Sequence, residues 1–240
     1  MDNGHYIIDF GHELTGTTVF RIKGETGQKV EIRHAEEMLN ENEVRYELRA
    51  NCHYQEFITL SGGDDTVEFF DSKGFRYVEV INGPYELYAG DMWAINTFHP
   101  YPETTHFESS DSLLNDIWKI CQTGVKQATQ DTYLDCPTRE KGGVLGDAYI
   151  CANSHLILTG DTRLLKKVIV DFAHTLRNDP GMTAVSPTYS QGGNIDYASL
   201  WPMLIEKYYM WTGDMEFVSK MLYGLDCLIE YFESWEDDHA

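Results

Sequence analysis

The chain has 240 residues, enough to bury a sizeable core in one large domain or two ordinary ones. Its 39 acidic against 18 basic residues leave a formal charge of -21, which repels phosphate backbones and anionic membrane surfaces, so neither nucleic acid nor a membrane is an expected partner. The five cysteines (Cys52, Cys121, Cys136, Cys151, Cys227) are odd in number and form no C-x-x-C pair, which argues against a disulfide framework and a zinc site.

No run approaches eighteen consecutive apolar residues, so no membrane span is expected. The first residues, through His5, are not a charged region followed by an apolar core; no signal peptide is read there, and a cytoplasmic location is favoured if Met1 is the true start.

The first hundred residues read as strands. Tyr6 to Phe10 and Thr17 to Lys23 alternate apolar with polar residues, and the turn Gly24-Glu25-Thr26-Gly27-Gln28 leads into Lys29 to Arg33, a hairpin signal. Further β-type runs at 54–60, 67–70 and 75–80 suggest a sandwich of antiparallel sheets. Near residue 105 the period changes. Leu113, Leu114, Ile117, Trp118, Cys121 and Val125 recur at helix spacing behind Ser110 or Asp111 as N-cap, and four more helical stretches follow at 147–158, 162–176, 197–211 and 215–234. The expected domains are therefore 1–104 and 105–240.

Leu158-Thr159-Gly160-Asp161 reappears as Trp211-Thr212-Gly213-Asp214. In each, glycine ends one helix and aspartate caps the next, the pattern of stacked αα-hairpins. Hairpins of this size extend as a solenoid or close into a ring; this chain has room for only about two and a half. The apolar face of its last helix is thus expected to be covered by another element or by self-association.

Between the first two helical stretches, Asp135-Cys136-Pro137-Thr138-Arg139-Glu140-Lys141-Gly142-Gly143-Val144-Leu145-Gly146-Asp147 packs three carboxylates and two cations into a turn that Pro137 and the glycines keep from being a simple helix. Such a loop suits acid/base chemistry on a glycoside; the plainer alternative is a turn held together by an Arg139–carboxylate pair. The nine histidines show no H-E-x-x-H spacing, and no phosphate loop or G-x-S-x-G is present, so no metal or cofactor is expected.

This motif closely resembles that of the bacterial α-L-rhamnosidases of glycoside hydrolase family 78. Asp9-Phe10-Gly11, Thr15-Gly16, His34-Ala35-Glu36 and Gly74 to Val80 are similar to the β-sandwich domain that precedes the barrel there, and Phe107 to Trp118 to the barrel's first helix. The resemblance implies an antiparallel β-sandwich followed by an incomplete (α/α)6 six-hairpin barrel, and inverting removal of terminal L-rhamnose. By position it implies Glu140 as general acid, with Asp135 and Asp147 binding sugar hydroxyls and raising that acid's pKa. Arg139 would pair with Asp135 or contact the sugar.

The segment Gly192 to Trp201 resembles one that supplies an aspartate and a stacking tryptophan, Asp196 and Trp201 here; an N-cap and a core residue are the alternatives. Tyr149 is a weaker candidate for the same pocket. Where many members carry a tryptophan, this chain has Val144-Leu145. The family's general base, a glutamate in the second half of the barrel, and a following histidine have no counterpart, so the isolated chain is expected to be nearly inactive. The alternative reading is a non-catalytic carbohydrate-binding or structural fragment.

Overall fold

A computed structural model of the chain describes residues 4–84, 86–177, 181–187 and 194–236. Two compact units emerge, one of Met1–Thr97 with Cys136–Glu140, the other of Phe98–Asp135 with Lys141–Ala240.

The first unit is antiparallel β: β1 (Tyr6–Lys23), β2 (Lys29–Ala35), β3 (Met38–Asn40), β4 (Glu43–Val44), β5 (Gln55–Thr59), β6 (Asp64–Glu68), β7 (Lys73–Ile81) and β8 (Met92–Asn96). Its main sheet has the order β5-β2-β7-β1-β6, with β8 also on β1. Strand β1 serves two halves: residues 6–16 pair with β7, while residues 19–23 pair with β6 and residues 16–20 with β8. Phe20 and Ile22 of β1, Val30 and Ile32 of β2, Ile58 of β5, Phe75, Val78 and Val80 of β7 and Met92 of β8 share one buried cluster, so both halves enclose the same core. Burial of each such side chain is worth about 2 kcal/mol.

The hairpin expected between Thr17–Lys23 and Lys29–Arg33 does not form: that half of β1 pairs with β6 and β8, and β2 pairs with β5 and β7. Beside β2, the residues Phe75, Val78 and Val80 of β7 are wholly buried, and a central position gives β7 neighbours on both edges. The strand expected at 67–70 sits earlier, and Phe70 is left in solvent.

The second unit contains α1 (Ser112–Ala128), β9 (Gly143–Val144), α2 (Leu145–Thr159), α3 (Arg163–Thr175), β10 (Val185–Ser186), α4 (Ile195–Ala198), α5 (Leu200–Thr212) and α6 (Met215–Glu233). Asp111 caps α1, accepting from the Leu113 N–H. The repeated turns share their glycine, but Asp214 is the N-cap of α6 whereas Thr162 holds that place in α3 and Asp161 stands one residue earlier. Gly160 and Gly213 take φ of 68° and 67°, Asp161 accepts from the Arg163 N–H at 2.9 Å, and Asp214 accepts from that of Phe217 at 3.0 Å.

The hairpins α2–α3 and α5–α6 pack through Leu156, Leu165, Ile169, Trp201, Leu204 and Phe217. On α6, Leu222, Tyr223 and Ile229 are exposed. Among the described residues no helix is long and apolar enough to cross a membrane.

Candidate active site

The loop that carries Glu140 belongs to the β unit. Gly74 on β7 makes room for it: a Cβ there would lie 2.8 Å from Thr138 Cγ2, closer than a real side chain tolerates, and a tight 3.0 Å from Pro137 Cγ. The buried Tyr54 hydroxyl, just ahead of β5, donates to the Thr138 carbonyl. Seated this way, the loop presents a partly exposed Glu140 whose Oε1 pairs with the Arg139 guanidinium and whose Oε2 accepts from the Cys136 thiol at 2.9 Å. Glu140, not Asp135, is therefore the ion partner of Arg139.

Asp135 and Asp147 lie in the helical unit. Asp135 closes the loop at its base. Its N–H donates to the Gly142 carbonyl at 3.0 Å and its Oδ1 accepts from the Gly142 N–H at 2.8 Å. Lys141, in the left-handed region at φ 53°, turns the chain into that bridge. Gly143 then pairs with Ser186 in the β9–β10 ladder, where a Cβ would meet the Ser186 carbonyl oxygen at 2.4 Å.

Asp147 stands in the first turn of α2. Burial, and after it the negative charge of Asp135, raises its carboxyl above the ordinary aspartate range. A helix N-terminus favours an anion, so desolvation outweighs the helix dipole here. One turn on, burial lifts the Cys151 thiol to about 11, with Asp147 and Asp135 adding to it. The two aspartates are therefore electrostatic neighbours.

The remaining candidates divide. Asp196 is exposed on α4, whose Tyr197 ring lies against the start of α2: a Cβ on Gly146 would meet that ring at 2.8 Å. Asn194, not Asp196, occupies the N-cap. Tyr149 is half buried on α2, with the Lys207 ammonium 4.7 Å from its ring centroid. Trp201 is wholly buried and its indole N–H donates to the Ile169 carbonyl at 3.0 Å, so it has no face to offer a sugar and serves as a core residue. Gly192 and Gly193 lie outside the described residues.

Sequence reasoning passed over Cys136, Tyr54 and Tyr197. Cys136 stands four residues before Glu140, a separation that allows two ends of a tight loop to meet; Tyr54 and Tyr197 are distant in sequence and left no such trace.

A model of the bacterial alpha-L-rhamnosidase 6 hairpin glycosidase domain matches residues 102–239, and one of the concanavalin-like domain of the same enzymes matches residues 1–96. The chain belongs to the bacterial α-L-rhamnosidase family. An α-L-rhamnosidase of Streptomyces avermitilis is 26% identical over 98% of this chain, and one of Formosa agariphila is 24% identical over the same share. The chain spans 23% and 26% of the lengths of those relatives.

The crystal structure of the Streptomyces avermitilis enzyme, complexed with L-rhamnose, superposes with a TM-score of 0.82 at 27% identity over 98% of this chain and 23% of that one. A family 78 rhamnosidase of Bacillus sp. GL1 gives 0.88 at 18% identity over 98% of this chain and 24% of that one, a likeness of fold. The β-rich first part followed by helical hairpins is thus the family's architecture.

Proposed function

We propose that this chain carries the acid-bearing part of an inverting α-L-rhamnosidase, acting when the rest of the six-hairpin ring is present. The observation that carries the reading is the Glu140 carboxyl itself, partly exposed on a seated loop of a family member and held at both oxygens by its own loop. In this reading Glu140 protonates the departing glycosidic oxygen, and a second carboxylate activates water on the opposite face of the sugar. Inversion requires about 6.5–9.5 Å between the two carboxyls, leaving space for that water. The water-activating glutamate matches no residue of this chain, so the chain alone is expected to turn over little or none.

Arg139 has a double role in this proposal. Paired with Glu140 it stabilises the carboxylate, which is the wrong state for an acid. Sugar hydroxyls that draw the guanidinium away would leave Glu140 free to hold a proton, so substrate binding and arming of the acid become one event. Asp135 and Asp147 would accept from rhamnose hydroxyls, and the raised Asp147 carboxyl is consistent with a desolvated binding position. Asp196 and Tyr149 are proposed as outer contacts.

The test uses a polypeptide containing the complete six-hairpin domain and an aryl α-L-rhamnoside. Glu140→Gln is expected to lose at least a hundredfold in kcat. Turnover close to wild type in that variant would remove Glu140 from the acid role.

A further inference from the structure

Among the described residues, the Cys136 thiol is a hydrogen-bond partner of Glu140 that the proposed reaction leaves unused. It donates to Oε2 at 2.9 Å, short for a contact involving sulfur, while Arg139 engages Oε1. The placement is not accidental to a floppy loop. Between these two residues, Pro137 and Thr138 are fixed over Gly74, and Tyr54 holds the Thr138 carbonyl. Cys136 is half buried and paired in no disulfide.

We propose that Cys136 is a positioning residue for Glu140: its S–H anchors Oε2, fixing the carboxyl's orientation and retaining that hold when Arg139 leaves Oε1. A thiol suits this task. As a weak donor it restrains the carboxylate without adding a charge, so it opposes protonation far less than a second cation would. An acid held by Arg139 alone would lose its aim at the moment the guanidinium turned to the sugar.

The inference rests on the acid role of Glu140 for its meaning, but its test does not depend on catalysis. The side-chain carboxyl of Glu140 is followed by 13C NMR across pH in this chain, assigned by its loss in Glu140→Gln. Removing the donor in Cys136→Ala is expected to raise the titration midpoint of Glu140 by roughly half a unit to one unit, because only the ionised form accepts strongly from the thiol. Cys136→Ser retains a donor and is expected to stay near wild type.

Should Cys136→Ala fail to fold, a variant with the other four cysteines replaced by serine, compared before and after S-methylthiolation of Cys136, loses the S–H on modification and supplies the same comparison. Coincident titrations with and without the donor overturn the proposal, as does an equal shift in Cys136→Ser and Cys136→Ala. Loss of turnover in Glu140→Gln together with coincident titrations would leave the acid assigned and Cys136 without this role.

Discussion

Asp135 and Asp147 share one electrostatic environment: the charge of Asp135 adds to burial in raising the Asp147 carboxyl. Because burial is the larger cause, Asp135→Asn is expected to bring Asp147 only part of the way back toward the ordinary range. Carboxyl 13C titration of Asp147 checks this, and an unmoved midpoint would show that the two are not coupled. The substitution keeps an acceptor oxygen for the Gly142 N–H, so the loop closure is expected to survive it.

Gly74→Ala places a methyl group against Thr138 Cγ2 and Pro137 Cγ. Overpacking of this kind costs about 1–3 kcal/mol. Urea denaturation is expected to report that loss, and adding Thr138→Ser, which deletes Cγ2, is expected to restore part of it. If the double variant is no more stable than Gly74→Ala, the clash is not with Thr138.

Glu13 lies where the β1–β7 register shifts between Asp9 and Leu14. Its Oε1 is buried without a hydrogen-bond partner, and burial, followed by the charge of Glu36, lifts its carboxyl from 4.5 to about 7. Between those two values the unfolded chain releases the proton that the folded chain keeps, so stability is highest below the lower one and falls as pH rises through the upper. Glu13→Gln is expected to flatten that slope and to gain on the order of 1 kcal/mol at pH 8, after discounting for partial exposure. Denaturation midpoints at pH 5 and pH 8 measure it; an unchanged slope would place the titration elsewhere.

Trp201→Ala is expected to cost about 3–5 kcal/mol, since it empties a fully buried site between α3, α5 and α6 and removes the indole hydrogen bond to the Ile169 carbonyl. A tryptophan serving as a sugar platform would instead weaken rhamnose binding and leave stability unchanged. Calorimetric melting of the variant separates the two.

The helical half was legible because its signals are local. Helix spacing from Leu113 onward, the Asp111 cap and the two glycine-aspartate turns each depend on residues a few positions apart. The carboxylate loop was readable for the same reason: Asp135, Glu140 and Asp147 stand in one uninterrupted run. The strands were harder. Alternation located β2, β5 and β7, but nothing in the run from Thr17 to Arg33 records that its first half pairs with β6 and β8 and its second with β5 and β7, all of them later in the chain. Trp201 was left between two readings for a related reason, because an apolar ring on a helix reads alike whether it faces a pocket or a core.

From its order of residues alone, then, the chain declared two kinds of secondary structure, a carboxylate-bearing loop and the family to which that loop belongs. Only the tertiary structure decided which partners these side chains take: Arg139 and Cys136 on Glu140, Gly142 on Asp135, and Ile169 on Trp201. The division is physical. Caps, turns and helical faces are set by interactions within a few residues, whereas strand order, burial and the pKa of a desolvated carboxyl depend on which distant segments exclude water from it.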